Sequence, residues 1–484
     1  MQNQKKITKK PTVNLLQSRH PTTRLFRLFA RKMSLFWRFW ILIWSLNSKF
    51  TFSKGLPLET RFLHESRTVN IEWKRAVFLN DSMHLTSAFM VPQKKHKGHA
   101  LKILAVGTDG AALASQSLAC WICQNRFITI NSCFKSFVTS SQFDTSPKSH
   151  HGKPWIVIVV NCPISASQKA ASWVTLGSSF ASIQHSKAWV PIKQIGTINP
   201  RYKLSMCSGP LFTKDRSEPD AYHGFHQSLA AVLPEWFEYY QGMGVQHFKM
   251  YMMPSLDQRT RSVLGYYAHL GIVEILEWNA THQTFDSIWA HGQMAFSHDC
   301  LYRSLGVADW VLVTDVDEYL TVDGHESFQS AIPEMNNPKI GFIQFSSWFY
   351  DRTCPLVVRK KHPFLLTDQV RIRASSPEKY RQKWMARPMA VPSPGIHGTG
   401  KIVKGFRKKY IMHDRGIFVK HFSAYIPTPK CTIKHDKRSF DSTLQNITAL
   451  SSRVEKVVQD LRKEYRYGQD PFQEIIPLKG YVLH

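Results

Sequence analysis

The sequence predicts an α/β protein in which a Rossmann-like parallel-sheet domain follows a smaller β-rich, sandwich-like domain and an N-terminal membrane anchor. Three observations carry this expectation. After Arg201 short apolar runs alternate with amphipathic stretches, the grammar of a parallel sheet with crossover helices. Between Arg67 and Pro200 the chain offers short β-type runs parted by Gly, Ser, Pro and Asn, with little helical periodicity. Ahead of both, a basic segment precedes an apolar one.

The N-terminal segment is read first. Residues 1–32 hold nine Lys and Arg and no acid, and the apolar run Met33 to Leu46 follows. A basic flank stays in the cytosol, so the bulk of the chain would lie in a lumen, with type II topology. A span of about 20 residues is reached only by including Arg38, Asn47 and Lys49. The expected layout is a cytosolic tail over 1–32, a signal anchor over 33–52 and a stem over 53–66. An organelle transit peptide has the same Arg-rich, acid-poor composition and stays open as the alternative. Sequons at Asn80, Asn279 and Asn446 suit a lumenal protein.

The folded part of a 484-residue chain is expected to divide, because single cores stop growing near about 250–300 residues. An apolar share of 43% excludes a disordered chain. The net charge of +29 makes anionic partners plausible, among them nucleotide diphosphates, acidic lipids and charged polysaccharides. Nucleic acid is not expected, since no basic stripe interleaved with aromatics and no reading module is present.

Residues 67–200 form the expected β-rich accessory domain, with strands such as Leu101 to Val106 and Trp155 to Val160. It reads as an antiparallel sandwich or barrel, serving either as a carbohydrate-binding accessory or as a packing platform. Eight cysteines lie across both domains. Cys120-x-x-Cys123 lacks the second pair that a zinc site needs, and disulfide connectivity cannot be read from spacing.

Residues 201–430 form the α/β domain. Val245 to Met252 reads as a strand, Leu256 to Leu270 as a helix closed by Gly271, and Ile272 to Leu276 as the next strand. A helix over Trp289 to Leu305 leads to the apolar strand Trp310 to Val313, the third of a βαβαβ half. Residues 431–484 are expected to be a helical extension.

The third strand ends at Thr314-Asp-Val-Asp-Glu318, and ligands of such sheets bind beyond the carboxyl ends of strands. A bend there can aim Asp315 and Asp317 at one hard cation, Mn²⁺ or Mg²⁺, which in turn bridges phosphate oxygens. Glu318 is read instead as a helix cap or the partner of a basic neighbour. Downstream, Lys383 and Arg387 belong to a basic cluster able to clamp a diphosphate. Asp351 and Glu378 lie between the acidic turn and the Lys383 to Arg387 segment, which makes them the candidate bases.

Several ordered motifs over Leu204 to Tyr425 resemble glycosyltransferase family 92. They are Leu233-Pro-Glu-Trp-Phe-Glu-Tyr-Tyr240 with Gly244 to Phe248, then Gln293-x-x-Ala-x-x-x-x-Cys300-Leu-x-Arg303, and Trp310 through Leu320. Lys383 to Pro388 with His397, and Lys420-His421-Phe422, complete the order. The resemblance implies a GT-A type fold, Golgi residence and inverting transfer of a sugar from UDP-galactose to a glycan acceptor, with a manganese-like cofactor. It implies donor contacts from Glu235, Tyr251, Asp315, Asp317, Lys383 and Arg387. For the metal it implies Asp315 and Asp317 with His421 as a late ligand, His397 being the second choice. One departure bears on the donor base: Met252 and Met253 follow Tyr251 where members of the family often carry Asp-Asn. A decayed lectin-like or polyanion-binding relative is therefore the alternative reading.

Overall fold

The computed structural model describes residues 77–80, 83–92, 99–108, 118–124, 133–138, 140–143, 153–165, 171–184, 188–195, 199–212, 229–278, 287–351, 365, 367, 372–373, 378–399, 401–423 and 447–464. The expected tail, anchor and stem lie outside the described residues. Among the described residues no helix is long and apolar enough to cross a membrane. Leu58–His484 forms one compact unit.

The first lobe contains β1 (Val77–Asn80), β2 (Met83–Pro92), β3 (His99–Thr108), β4 (Ala119–Cys123), β5 (Cys133–Phe137), β6 (Ser140–Phe143), β7 (Trp155–Ile164), β8 (Trp173–Gly177) and β9 (Val190–Gln194), with the short helix α1 (Phe180–Gln184). These strands make one sheet in the order β5-β4-β8-β9-β2-β3-β7-β6, with β1 beside β2. The sheet rolls over on itself, since a disulfide joins Cys120 of β4 to Cys162 of β7, which are distant in strand order. A second disulfide, Cys123 to Cys133, staples β4 to β5.

Alternation along two strands explains why they read as unbroken apolar runs. Leu101, Ile103 and Ala105 of β3 and Ile156, Ile158 and Val160 of β7 fill the lobe's own core. Their alternates Leu104, Val106, Val157 and Val159 belong to a different core, shared with the second lobe. Strands buried on both faces lose the polar positions that a solvated face would keep.

The second lobe contains β10 (Tyr202–Leu211), α2 (Leu229–Gly242), β11 (His247–Met252), α3 (Gln258–His269), β12 (Val273–Glu277), α4 (Gln293–Ser304), β13 (Ala308–Val313), β14 (Glu318–Val322), α5 (Phe328–Ala331), β15 (Ile340–Asp351), β16 (Ile372–Arg373), β17 (Glu378–Ala386), β18 (Arg407–Ile411), β19 (Ile417–Ser423) and α6 (Ile447–Glu464). Its sheet runs β12-β11-β10-β13-β17-β15-β19-β14, with β16 and β18 also on β15. The pairs among β10, β11, β12 and β13 are parallel, and β17 runs antiparallel to β13.

The sequence reading missed the first strand, and this moves the acidic turn. Tyr202–Leu211 pairs with both β11 and β13, so β13 is the fourth strand of the half and lies beside the first. Its Ser, Gly and Pro residues hide it from β propensity, yet eight of its ten residues are buried. Gly209 is needed there: at φ 138° an added Cβ would stand 2.7 Å from Tyr251. The C-terminal α6 packs Leu450, Val454, Val457, Val458 and Leu461 into the main core, the spacing of one helical face.

Candidate active site

The site forms where β13 runs out. Trp310, Val311 and Leu312 are fully buried, so the strand is fixed to its end and the chain then turns through Asp315 and Asp317 into β14. Two hydrogen bonds, one between backbone groups and one to a side chain, shape this turn. The Glu318 amide donates to the Asp315 carbonyl at 3.1 Å, and the Asp315 amide donates to Glu318 Oε2 at 2.8 Å. From beneath, the Trp236 indole of α2 donates to the Asp315 carbonyl at 3.2 Å and the Tyr240 hydroxyl donates to the Glu318 carbonyl at 2.9 Å.

Antiparallel pairing of β14 with β19 sets Glu318 opposite His421. His421 Nε2 lies 3.4 Å from Asp317 Oδ2, and its Nδ1 lies 3.4 Å from Glu318 Oε1. One ligand atom from each of Asp317, Glu318 and His421 falls within 4.8 Å of the other two. Glu318 Oε1 and His421 Nδ1 are buried and have no hydrogen-bond partner despite facing each other. Two carboxylates, an imidazole and orphaned ligand atoms fit a divalent cation such as Mn²⁺ or Mg²⁺, whose neighbouring ligands stand about 3 Å apart. Burial raises the Glu318 carboxyl above its ordinary range. Burial alone would lower His421, but Asp317 and Glu318 outweigh it and raise the imidazole.

Asp315 is held differently. Lys383, brought from β17 beside β13, places Nζ 2.7 Å from Asp315 Oδ2 and 3.0 Å from Glu318 Oε2. Burial works against the Lys383 charge, yet these two carboxylates prevail and hold the ammonium above the usual lysine range. The other oxygen, Asp315 Oδ1, accepts from Gln293 Nε2 at 2.9 Å. Gln293 opens α4, immediately after Ala290, His291 and Gly292 with φ of 48°, 52° and 80°. Two of these are not glycine, so the turn stores about 1–3 kcal/mol at each, a strain found where surroundings fix a functional loop. A small depression lies here at the carboxyl ends of β10 and β13, lined by Ser208, Gly209, Phe212, His291, Gln293 and Asp315.

The structure thus brings Asp315, Asp317, Lys383 and His421 together, and adds Glu318, which the sequence reading set aside, and Gln293. His397 is close by but outside the metal group: its Nδ1 faces the Gln382 carbonyl at 3.2 Å, and burial together with Lys383 lowers it to about 4. Three expected donor contacts lie elsewhere. Glu235 is fully buried and accepts from the Thr367 hydroxyl and amide. The Tyr251 hydroxyl is committed to Asp299 at 2.6 Å. Arg387 stands at the opposite end of β13, over the Trp310 ring, donating to the carbonyls of Ile340 and Met335. Asp351 and Glu378 fall in β15 and β17, and their side chains lie outside the described residues. Met252 and Met253 are buried, with Arg261 donating to the Met253 carbonyl.

Residues 225–466, half of the chain, match glycosyltransferase family 92. The chain belongs to that family. Among curated members, the β-1,4-galactosyltransferase galt-1 of Caenorhabditis elegans is 23% identical over 206 residues, 42% of this chain and 44% of that protein. A family 92 protein of Oryza sativa subsp. japonica is 26% identical over 166 residues, 34% of this chain and 26% of that protein. The chain therefore matches less than half the length of either relative. Solved structures resemble it only loosely. HddC from Yersinia pseudotuberculosis covers 46% of this chain and 93% of its own at 13% identity, with a TM-score of 0.27. The inositol-1-phosphate CTP transferase from T. maritima covers 53% and 97% at 10% identity, with a TM-score of 0.24.

Proposed function

We propose that this family 92 protein is an inverting, divalent-metal-dependent glycosyltransferase that moves galactose from UDP-galactose to a glycan acceptor. We further propose that it works in the Golgi lumen behind a type II signal anchor. The observation that carries the reading is the buried Asp317, Glu318 and His421 group beside the depression. A divalent ion bound by these residues would neutralise charge gathering on the departing diphosphate. The chain's own groups have distinct tasks. Lys383 and Gln293 fix the two oxygens of Asp315, so this carboxylate presents one orientation to a donor at the depression. Inversion requires the acceptor hydroxyl to attack from the face opposite the leaving group while its proton passes to a carboxylate, and Asp351 and Glu378 are the candidates.

A second reading, a lectin-like relative without turnover, rests on Met252 and Met253, which are buried where the resemblance leads one to expect an Asp-Asn pair. Hydrolysis of UDP-galactose and of a panel of other UDP- and GDP-sugars by the purified protein, with manganese and then with chelator, separates the two. Chelator-sensitive turnover of one donor is the expected result. Glycan binding with no manganese-dependent nucleotide binding would establish the lectin instead.

A further inference from the structure

Resting on the proposed transfer to a glycan, we infer that β18 and the turn before it dock an anionic acceptor chain, a polysaccharide bearing carboxylates or sulfates. Residues 401–415 carry six Lys and Arg against one acid, Asp414. Arg415 pairs with Glu334 at 2.7 Å, and Lys408 donates to the Thr399 carbonyl. Lys401, Lys404, Arg407 and Lys409 are exposed and form no ion pair among the described residues. Lys409 shares the Glu334 charge with Arg415, and the like charges in excess of it repel one another, a repulsion that a polyanion relieves.

The position is as telling as the charge. β18 pairs only with β15 among the described strands, and no described strand covers its other edge. Tyr410 stands among the charges with 40% of its surface exposed, and its hydroxyl accepts from Gln382 Nε2 at 2.8 Å. Gln344 donates to Gln382 and, at 2.8 Å, to the His397 carbonyl. Gln382 is the chain neighbour of Lys383, which holds Asp315. The basic strand is thereby tied through two amide side chains to β17 and the His397 carbonyl, on the face of β17 opposite the Lys383 side chain.

Basic residues on an edge strand also discourage pairing with other strands, but one or two suffice for that. Neither the exposed turn residues Lys401 and Lys404 nor the fixed aromatic ring serves that purpose. A bilayer-seeking face would set several bulky apolar side chains among its charges, and here Met412 is the one exposed aliphatic side chain. A tyrosine ring with its hydroxyl tethered offers a flat apolar face for a sugar ring, with charges either side for its acidic substituents.

The test uses the full chain and a triple variant, Lys404→Glu, Arg407→Glu and Lys409→Glu, all exposed and outside the site. Binding is measured to polygalacturonate and heparin, with dextran as the neutral control and phosphatidylserine vesicles as the membrane probe. The wild type should bind at least one acidic polysaccharide in a salt-sensitive way and ignore dextran, and the variant should bind it at least about tenfold more weakly. Manganese-dependent UDP binding should be equal in both proteins. If neither protein binds UDP, the transferase reading fails while the polysaccharide comparison still decides this one. Equal polysaccharide binding by the variant would assign the charge effect to another part of the chain and overturn the inference. So would equal retention of dextran, or a patch-dependent preference for vesicles.

Discussion

The core of the first lobe around Ile158 is aliphatic, and its buried polar residues are His84, Thr86, Ser87, Ser136 and Thr175, with no Asp, Glu, Lys or Arg among the described ones. The second lobe buries Glu235, Lys249, Glu318, Lys383 and His421. Some are paired, but Lys249 Nζ has no hydrogen-bond partner, and burial lowers it to about 8 although Glu274 sits opposite in the sheet. Burying an ion costs several kcal/mol, and pairing recovers only part of it. The second lobe therefore gives up some stability at these groups, part of it at the acidic turn, whereas the inner core of the first lobe has no such cost among the described residues.

Three experiments can break or sharpen this contrast. The largest effect is expected from Asp317→Asn. It should cut transfer or donor hydrolysis by about a thousandfold, the scale for losing one group that stabilises transition-state charge, and leave the melting temperature near that of the wild type. Steady-state kinetics beside a thermal melt check both halves, and retained activity would remove Asp317 from the site. Next, Ile158→Ala should destabilise the protein by about 2–5 kcal/mol. Nucleotide affinity of the molecules that stay folded should not change, as denaturant unfolding and a binding titration would establish.

The third and smallest effect concerns acid. Burial lowers His247 to about 4, helped by Lys249, and lowers His397 to about 4 as well. A histidine that is neutral when folded contributes stability in full above its unfolded value of about 6.5. That contribution is lost as pH falls from there through about 4. Melting temperatures should fall across this window in the wild type. His247→Phe, which keeps an aromatic ring against Tyr202, should flatten the acid limb. An identical limb in the variant would exclude His247 as a cause.

Much of the second lobe was legible because its signals are local. The helix at Gln258–His269 shows its apolar face in a dozen residues and its stop in Gly271, while its Asp257 cap went unread, and the apolar β13 announces the turn that follows it. What stayed hidden is set by long-range register. Lys383 reaches Asp315 across 68 positions of sequence because β17 lies against β13, and His421 meets Glu318 because β19 lies against β14. Glu318 looked like a simple ion-pair partner, which one of its oxygens is; the other faces His421, and only the pairing reveals that. Arg387 was misleading for the same reason. Four residues beyond Lys383 along an extended strand is about 13 Å, enough to carry it to the far end of β13.

The core shared by Leu104, Val106, Val157 and Val159 with Phe296, Leu301 and Val311 has a consequence for engineering. Arg303 lies over the Phe89 ring and Lys102 over the Tyr302 ring, so the contact is specific in shape as well as apolar. The helix it grips, α4, also carries Gln293, and a disulfide from Cys300 to Cys207 ties it to β10. A chimera that replaces the first lobe with a foreign one would disturb the helix that steadies Asp315. A replacement for the first lobe would have to carry a matching α4 with it.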